Sequence, residues 1–414
     1  MKILVIGPGG REHALAWKLA QSPKASLIFS SNAAAAGCKV KYNTADLGNN
    51  DKVLAFCKAE NIDFIVIGPE APLAAGLADD LKAAGFKVFG AVKAGARLEF
   101  SKDYSKAFMQ KYGIPTAAYK SFTDIAAAQK YIETLQPPVV IKADGLAAGK
   151  GVRICATQQE AQACITDFMS LGTLGASGSK VVVEEFLEGR EASVMAFVDG
   201  QSYKILPVSR DHKRLLDKDQ GPNTGGMGVY SPVKDITAAD MDFIKQNVFD
   251  KTLAGLKAEN IDYCGIIYAG IMKGAKGINV LEFNCRFGDP ETQAVLPLLK
   301  NDLLEIMLAC ANKKLKDIDI QTSAGAAACV VLAGKDYPQS ASKGVEIKGL
   351  NEVKEALVFH AGTKPADGKI YTNGGRVLGV VGLGADIKEA RAKAYGEIKK
   401  INFEGMQYRH DIGE

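Results

Sequence analysis

Histidine is scarce: the 414 residues include only His13, His212, His360 and His410, and no two stand at the spacing of metal ligands. The eight cysteines (Cys38, Cys57, Cys155, Cys164, Cys264, Cys285, Cys310 and Cys329) include no CxxC pair, which argues against structural zinc and predicts buried, reduced thiols. No apolar run reaches the ~20 residues a membrane helix needs, because Gly, Lys or Asp interrupts each one first. Charge of one sign is not in excess either. Lys+Arg 51 against Asp+Glu 47 gives a formal +4, with no basic block to grip a phosphate backbone, so nucleic acid is not an expected partner. Met1-Lys2-Ile3-Leu4-Val5-Ile6 opens the chain as a core strand, where a signal peptide would put a basic and then apolar leader. These absences leave a soluble, cytoplasmic protein that binds no membrane.

What is present is ordinary globular composition, 47% hydrophobic and 24% charged, over a length that at about 150 residues per domain allows two to four domains. The first hundred residues alternate short apolar runs (2–7, 26–29, 63–68, 87–90) with helix-period segments (13–20, 52–59, 73–84). That alternation predicts a parallel sheet covered by helices. Beyond Ser101 the texture changes. A helix over 102–112 is ended by Gly113 and Pro115, and then strands come in pairs joined by glycine turns: 137–143 with 152–157, 180–187 with 191–200, and 265–272 with 278–284. This spacing predicts antiparallel sheet. The polar, glycine-rich stretch 211–231 is too long for an ordinary connection and is marked as functional. A last α+β region opens at Ala326. The predicted fold class is therefore a multidomain α/β and α+β chain.

Five segments carry chemistry. Gly7-Pro8-Gly9-Gly10 ends the first strand and exposes backbone N–H groups at a helix start, which suits a phosphate or other small anion. A dinucleotide fits less well, because the spacing is not GxGxxG and Ser30-Ser31 stands where a ribose-binding acid is wanted; a purely structural turn is the third reading. Gly145 to Gly151, with Gly149 and Lys150 between, resembles a phosphate loop but lacks the Ser or Thr that would hold magnesium. It reads as a glycine hairpin able to fold over phosphates, with Lys142 in the strand before it, or as a plain exposed loop. Glu282 and Asn284, two apart on a strand, share a face and suit a hard cation such as Mg²⁺; Arg286 joins them if the strand continues. Asp211-His212-Lys213-Arg214 adjoins the glycine loop 221–228, and Glu184-Glu185-Phe186-Leu187 with Glu191 ends a strand where an adenine edge and ribose hydroxyls could be met.

In this order, the segments resemble the ATP-grasp carboxylate–amine ligases, and within them the glycinamide ribonucleotide synthetases. The blocks that carry the resemblance span nearly the whole chain: GGREHALAWK, IGPEAPL, IKADGLAAGKGV, EEFLEGREAS, DHKR, GPNTGGMGVYSP, LEFNCRFGDPETQ, FHAGTK and TNGGRVLGV. The resemblance implies an N-terminal α/β domain (1–102), an ATP-grasp domain of two antiparallel α+β subdomains (103–316, flap 120–192) and a small C-terminal α+β domain (317–414). It implies ATP as substrate, Mg²⁺ or Mn²⁺ as cofactor, and glycine and 5-phosphoribosylamine as the other substrates, in a monomer or small homo-oligomer.

Carried over, Lys102 and Lys142 would contact phosphates, with the loop Gly145, Gly149, Lys150 and Gly151 as a lid. Glu184, Glu185 and Leu187 would form the adenine hinge and Glu191 would take the ribose. Glu282 and Asn284 would bind the metal. Asp211, Arg286 and Asp289 would serve glycine and its acyl phosphate, with Arg286, Lys142 and Asp211 catalytic. Gly9, Gly10, Asn32, Glu70, Lys364 and Arg376 would face the phosphoribosylamine. Two positions depart from the family pattern: Pro8 replaces a small polar residue, and Ser30-Ser31-Asn32 replaces Pro-Gly-Asn. The glycine of that motif implies positive φ, so Ser31 either bears strain or takes another path. Another ATP-grasp ligase, with a different acid or amine, and a nucleotide-binding protein without turnover are the alternatives.

Overall fold

The computed structural model describes the chain except residues 36–38, 44, 46, 148–150, 172 and 174. Lys2–Ile6, Leu27–Ser30, Phe64–Ile67 and Lys87–Phe89 are strands of one wholly parallel sheet, as the apolar runs predict. A fifth strand, Val40–Tyr42, joins its edge beside Leu27–Ser30. Ile3, Leu4 and Val5 are all buried, so both faces of the first strand are covered, as a parallel sheet with crossover helices requires. The segment predicted as one helix over 73–84 is two, Glu70–Ala74 and Leu77–Ala83, because Gly76 turns between them at φ +83°.

Two antiparallel four-stranded sheets follow. One pairs Tyr119–Phe122, Val181–Glu185, Val139–Ala143 and Val152–Cys155 in that order. The other pairs Tyr203–Ile205, Arg190–Val198, Gly265–Gly274 and Gly277–Asn284. The expected hairpin between 180–187 and 191–200 is therefore not formed: Val181–Glu185 and Arg190–Val198 lie in different sheets. The reason is a close approach between distant parts of the chain. Gly189, at φ +157°, sits where an added Cβ would collide with the Lys273 carbonyl, so the chain passes tightly from one sheet to the next instead of folding back.

The C-terminal sheet, of order 210–211, 228–231, 326–333, 376–384 and 356–360, is also antiparallel, and it recruits two short strands from the polar stretch 211–231. That stretch is thus threaded between the central sheets and the C-terminal one. Helix Gly10–Leu19 packs against Glu291–Leu298 and against strand Ala356–His360, which closes the chain into one arrangement around a central cleft. Seven cysteines are described, all free and all buried. Among the described residues, no helix is long and apolar enough to cross a membrane.

Candidate active site

The cleft is a cavity of about 770 Å³ lined from all three regions of the chain. Lys102 enters it because Ser101 caps the helix Lys102–Lys111, accepting from Tyr104 N, which puts Lys102 on the first turn; its ammonium donates to the Gly145 carbonyl at 3.3 Å. One turn later on the same helix, Lys106 is buried and pairs with Glu184 at 2.8 Å, while Lys142 pairs with the other Glu184 oxygen at 3.0 Å. Burial, with Lys142 adding to it, pushes Lys106 down to about 8 despite Glu184. Lys142 also donates to the Leu281 carbonyl at 2.9 Å, which ties the first antiparallel sheet to the strand bearing Glu282.

Glu185, Leu187 and Glu191 line the same cavity at the sheet-to-sheet passage. The Glu185 carboxylate accepts from Ala118 N at 3.1 Å, and Glu191 pairs with Lys213 at 2.6 Å. Gly145 and Gly151 border the cavity too; at φ +153°, Gly145 packs against Ser177, where any Cβ would collide. Gly149 and Lys150 lie outside the described residues.

Opposite the lysines, Glu282, Asn284 and Arg286 all open on the cavity. Burial works to raise the Glu282 carboxyl, but Lys213, Lys142, Lys102 and Arg286 outweigh it and hold it below the ordinary value. Arg286 is gripped by Glu99 at 3.0 Å and by Glu70 at 3.5 Å, and donates to Asn284 Oδ1 at 3.3 Å. Glu99 in turn accepts from Cys285 N at 2.7 Å; its burial raises its carboxyl although Arg286 opposes the shift. Glu70 is held below its ordinary value: burial acts upward, and Arg286 and Arg11 prevail.

Asp211 behaves the other way. Burial and then the nearby Glu291 push its carboxyl well up, and its Oδ1 is buried with no hydrogen-bond partner among the described residues. Glu291 itself accepts from Tyr268 at 2.7 Å and from Ser193 at 3.1 Å. Asp289 stays below the ordinary carboxylate value because Arg376 and Arg11 overcome its burial, and it accepts from Gln293 at 2.8 Å.

Three family models match the chain in sequence: phosphoribosylglycinamide synthetase N domain over residues 1–99, ATP-grasp (A) domain over 100–292 and C domain over 327–414. The chain belongs to the phosphoribosylglycinamide synthetase family. A phosphoribosylamine–glycine ligase of Neisseria meningitidis serogroup A is 49% identical over 418 residues, covering 100% of this chain and 99% of that one. The trifunctional purine biosynthetic protein adenosine-3 of Gallus gallus is also 49% identical, with 100% of this chain matching 42% of its length. The crystal structure of a phosphoribosylamine–glycine ligase from Thermotoga maritima superposes with a TM-score of 0.88 at 38% identity, covering 100% of both chains. A biotin carboxylase from Campylobacter jejuni shares the fold at TM-score 0.74 and 14% identity.

Against the family resemblance, the cavity unites most of the expected residues and, of the described ones, leaves four outside its lining: Gly9, Gly10, Asn32 and Lys364. The glycine turn is not an open cradle. Gly9 N–H donates to Glu12 Oε2 at 2.9 Å, and Gly7, Gly9 and Gly68 all pack on the Glu12 carboxylate, so the bare backbone there receives a side chain of the same chain. Asn32 is buried and occupied. Its amide donates to the carbonyls of Pro8, Gly9 and His360 at 2.9, 3.2 and 2.7 Å, and its oxygen accepts from Ala34 N. Ser31 is not among the residues with positive φ, so the turn takes another path without strain there. Lys364 is exposed on strand Thr363–Ala366. Lys106 and Glu99 escaped the sequence reading. The i, i+4 spacing of Lys102 and Lys106 on one helix was the available signal for the first; a lone acid amid an otherwise apolar helix face was the only one for the second.

Proposed function

We propose that this chain ligates glycine to 5-phosphoribosylamine at the expense of ATP, giving glycinamide ribonucleotide, ADP and phosphate in purine biosynthesis. Glycine's carboxylate attacks the γ-phosphorus of ATP, ADP leaves, and the resulting glycyl phosphate is attacked by the amine with loss of phosphate. The observation that carries this reading is the end-to-end match to the family in a chain whose cavity gathers lysines, a buried arginine and the Glu282–Asn284 pair.

In this reading Lys102 and Lys142 bind the phosphates. Arg286, oriented by Glu99, offsets charge developing on the transferred phosphoryl group and the acyl oxygen, the kind of preorganised stabilisation that dominates such steps. The strand end Glu184–Leu187 takes the adenine edge through its backbone, since the Glu184 side chain is committed to Lys106 and Lys142. Glu191 takes the ribose. Asp211 faces the amino acid's ammonium, and Glu70, Asp289 and Arg376 face the phosphoribosylamine. Expelling water protects the acyl phosphate, which otherwise hydrolyses.

The donor set fits a hard divalent cation: Glu282 is a carboxylate and Asn284 offers its amide oxygen. Among the described residues no three His, Cys, Asp or Glu cluster as a closed metal cage, so two protein oxygens would hold Mg²⁺ or Mn²⁺ with phosphates and water completing the shell. When bound, the cation supplies charge neutralisation at the polyphosphate. A cytoplasmic setting accords with free thiols and with the small-molecule substrates.

The test is ADP release with glycine and freshly generated phosphoribosylamine, together and singly. Release should require both. Equal release with a different carboxylic acid in place of glycine would instead assign the chain to another ligase of this fold.

A further inference from the structure

The glycine loop that roofs the site is held at two independent points. Within the loop itself, Thr224 is anchored through its N–H and its hydroxyl to the Lys213 carbonyl at 2.8 and 2.9 Å, and Gly226 N–H donates to Thr224 Oγ1 at 3.0 Å. The next residue is held from the C-terminal region. Tyr337 Oη accepts from Gly225 N at 2.8 Å, and Arg376 Nη1 donates to Gly225 O at 2.6 Å. Arg376 also donates to Asp289 O at 2.8 Å and pairs with the Asp289 carboxylate at 3.2 Å. Both polar groups of the Gly225 backbone are therefore clamped, and the same guanidinium joins the clamp to Asp289. The Tyr337 ring is itself set against Gly375, where a Cβ would collide with it.

The consequence falls on Gly226. At φ +110° it lies so close to the site that a Cβ would sit 2.5 Å from Pro290 Cδ and 2.7 Å from Asp211 Oδ1, the buried oxygen without a partner among the described residues. A displacement of Gly225 moves the surface that covers Asp211.

We propose that Tyr337 is a positioning residue for the acid substrate: with Arg376 it fixes the Gly225–Gly226 turn over Asp211 and so shapes the amino-acid pocket. This rests on the ligase reading above. The clamp bonds of Gly225 run to Tyr337 and Arg376 and, among the described residues, none reaches Lys102, Lys142 or Glu191, the side chains assigned to ATP, so ATP binding serves as the internal control.

Tyr337→Phe removes one hydroxyl and keeps the ring. The expected result is a ~3- to 10-fold rise in KM for glycine, the effect of one lost neutral hydrogen bond, with KM for ATP and the thermal midpoint unchanged. Amide exchange in a peptide covering 224–228, measured without substrates, should accelerate by a similar factor. Unchanged exchange, or faster exchange with an unmoved glycine KM, overturns the proposal. So does a parallel rise in both KM values with a falling midpoint, which is a purely structural role. If the phenylalanine variant does not fold, Gly225→Ala strains the same clamp from the loop side, since its Cβ would lie 3.2 Å from Arg376 Cζ and 3.3 Å from Tyr337 Oη; the same exchange and KM criteria apply. Exchange does not depend on the reaction, so failure of the wild-type protein to turn over glycine would sink the ligase reading and leave the clamp measurable.

Discussion

Replacing Glu184 with glutamine removes the anion shared by two buried ammonium groups, Lys106 at 2.8 Å and Lys142 at 3.0 Å. Breaking a buried pair by deleting one partner costs ~3–5 kcal/mol, and the amide oxygen that remains recovers roughly 0.5–1.5 kcal/mol as a neutral acceptor. A net loss of about 3 kcal/mol at pH 7 follows, or roughly 6–12 °C in the unfolding midpoint of the unit that contains the pair. The loss should depend on pH with a definite sign. Lys106 is depressed to about 8 in the folded protein, below its ordinary 10.5, so between those values the unfolded chain holds more protons and stability from this group rises with pH. Once Lys106 is neutral it no longer needs Glu184, and its share of the penalty vanishes. Calorimetry at pH 7 and pH 9.5 should show the gap between wild type and Glu184→Gln shrinking by about half. An equal gap at both pH values, or one under about 2 °C at pH 7, would refute the idea that these three residues form one coupled buried unit.

Glu282→Gln keeps the shape of a residue surrounded by Lys213, Lys142, Lys102 and Arg286, and should lower kcat at least ~10²-fold with folding little changed; a severe drop in thermal midpoint would make Glu282 structural. Glu99→Gln weakens the 3.0 Å pair that aims Arg286 and should cost roughly 10- to 10²-fold in kcat/KM for glycine, as loss of a charge-assisted hydrogen bond does, measured with KM for ATP as the internal control. Asn32→Ala breaks the link to three carbonyls, including that of His360 across the chain, and should destabilise by ~1–3 kcal/mol with kcat retained. A variant with wild-type stability and a raised KM for phosphoribosylamine would instead make Asn32 a substrate contact.

Local signals are dense in the first sheet and on the strand that bears Glu282 and Asn284. Four of the five parallel strands are continuous apolar runs, and Glu282 and Asn284 are two apart on a strand whose neighbours are charged turn residues. The edge strand Val40–Tyr42 was missed because only Val40 is buried there, and an exposed edge carries no apolar run. The passage from Glu185 to Arg190 looked like a hairpin because a glycine turn between two β-rich runs has the same local signature whether the chain folds back or crosses to another sheet. The close approach of Gly189 to the Lys273 carbonyl, 84 residues away in sequence and too tight for any Cβ, distinguishes them. The site follows the same rule. The lysines and carboxylates that line the cavity sit in dense motifs, whereas groups that hold its parts in place are recruited over long distances: Glu99 to Arg286, Tyr337 to Gly225, Asn32 to His360. Each is an unremarkable residue in its own segment, and its function exists only in the contact. The glycine turn makes the converse point. Its local pattern suits an incoming anion, yet in the structure the Gly9 N–H donates to the Glu12 side chain, three residues beyond it on the helix that the turn begins.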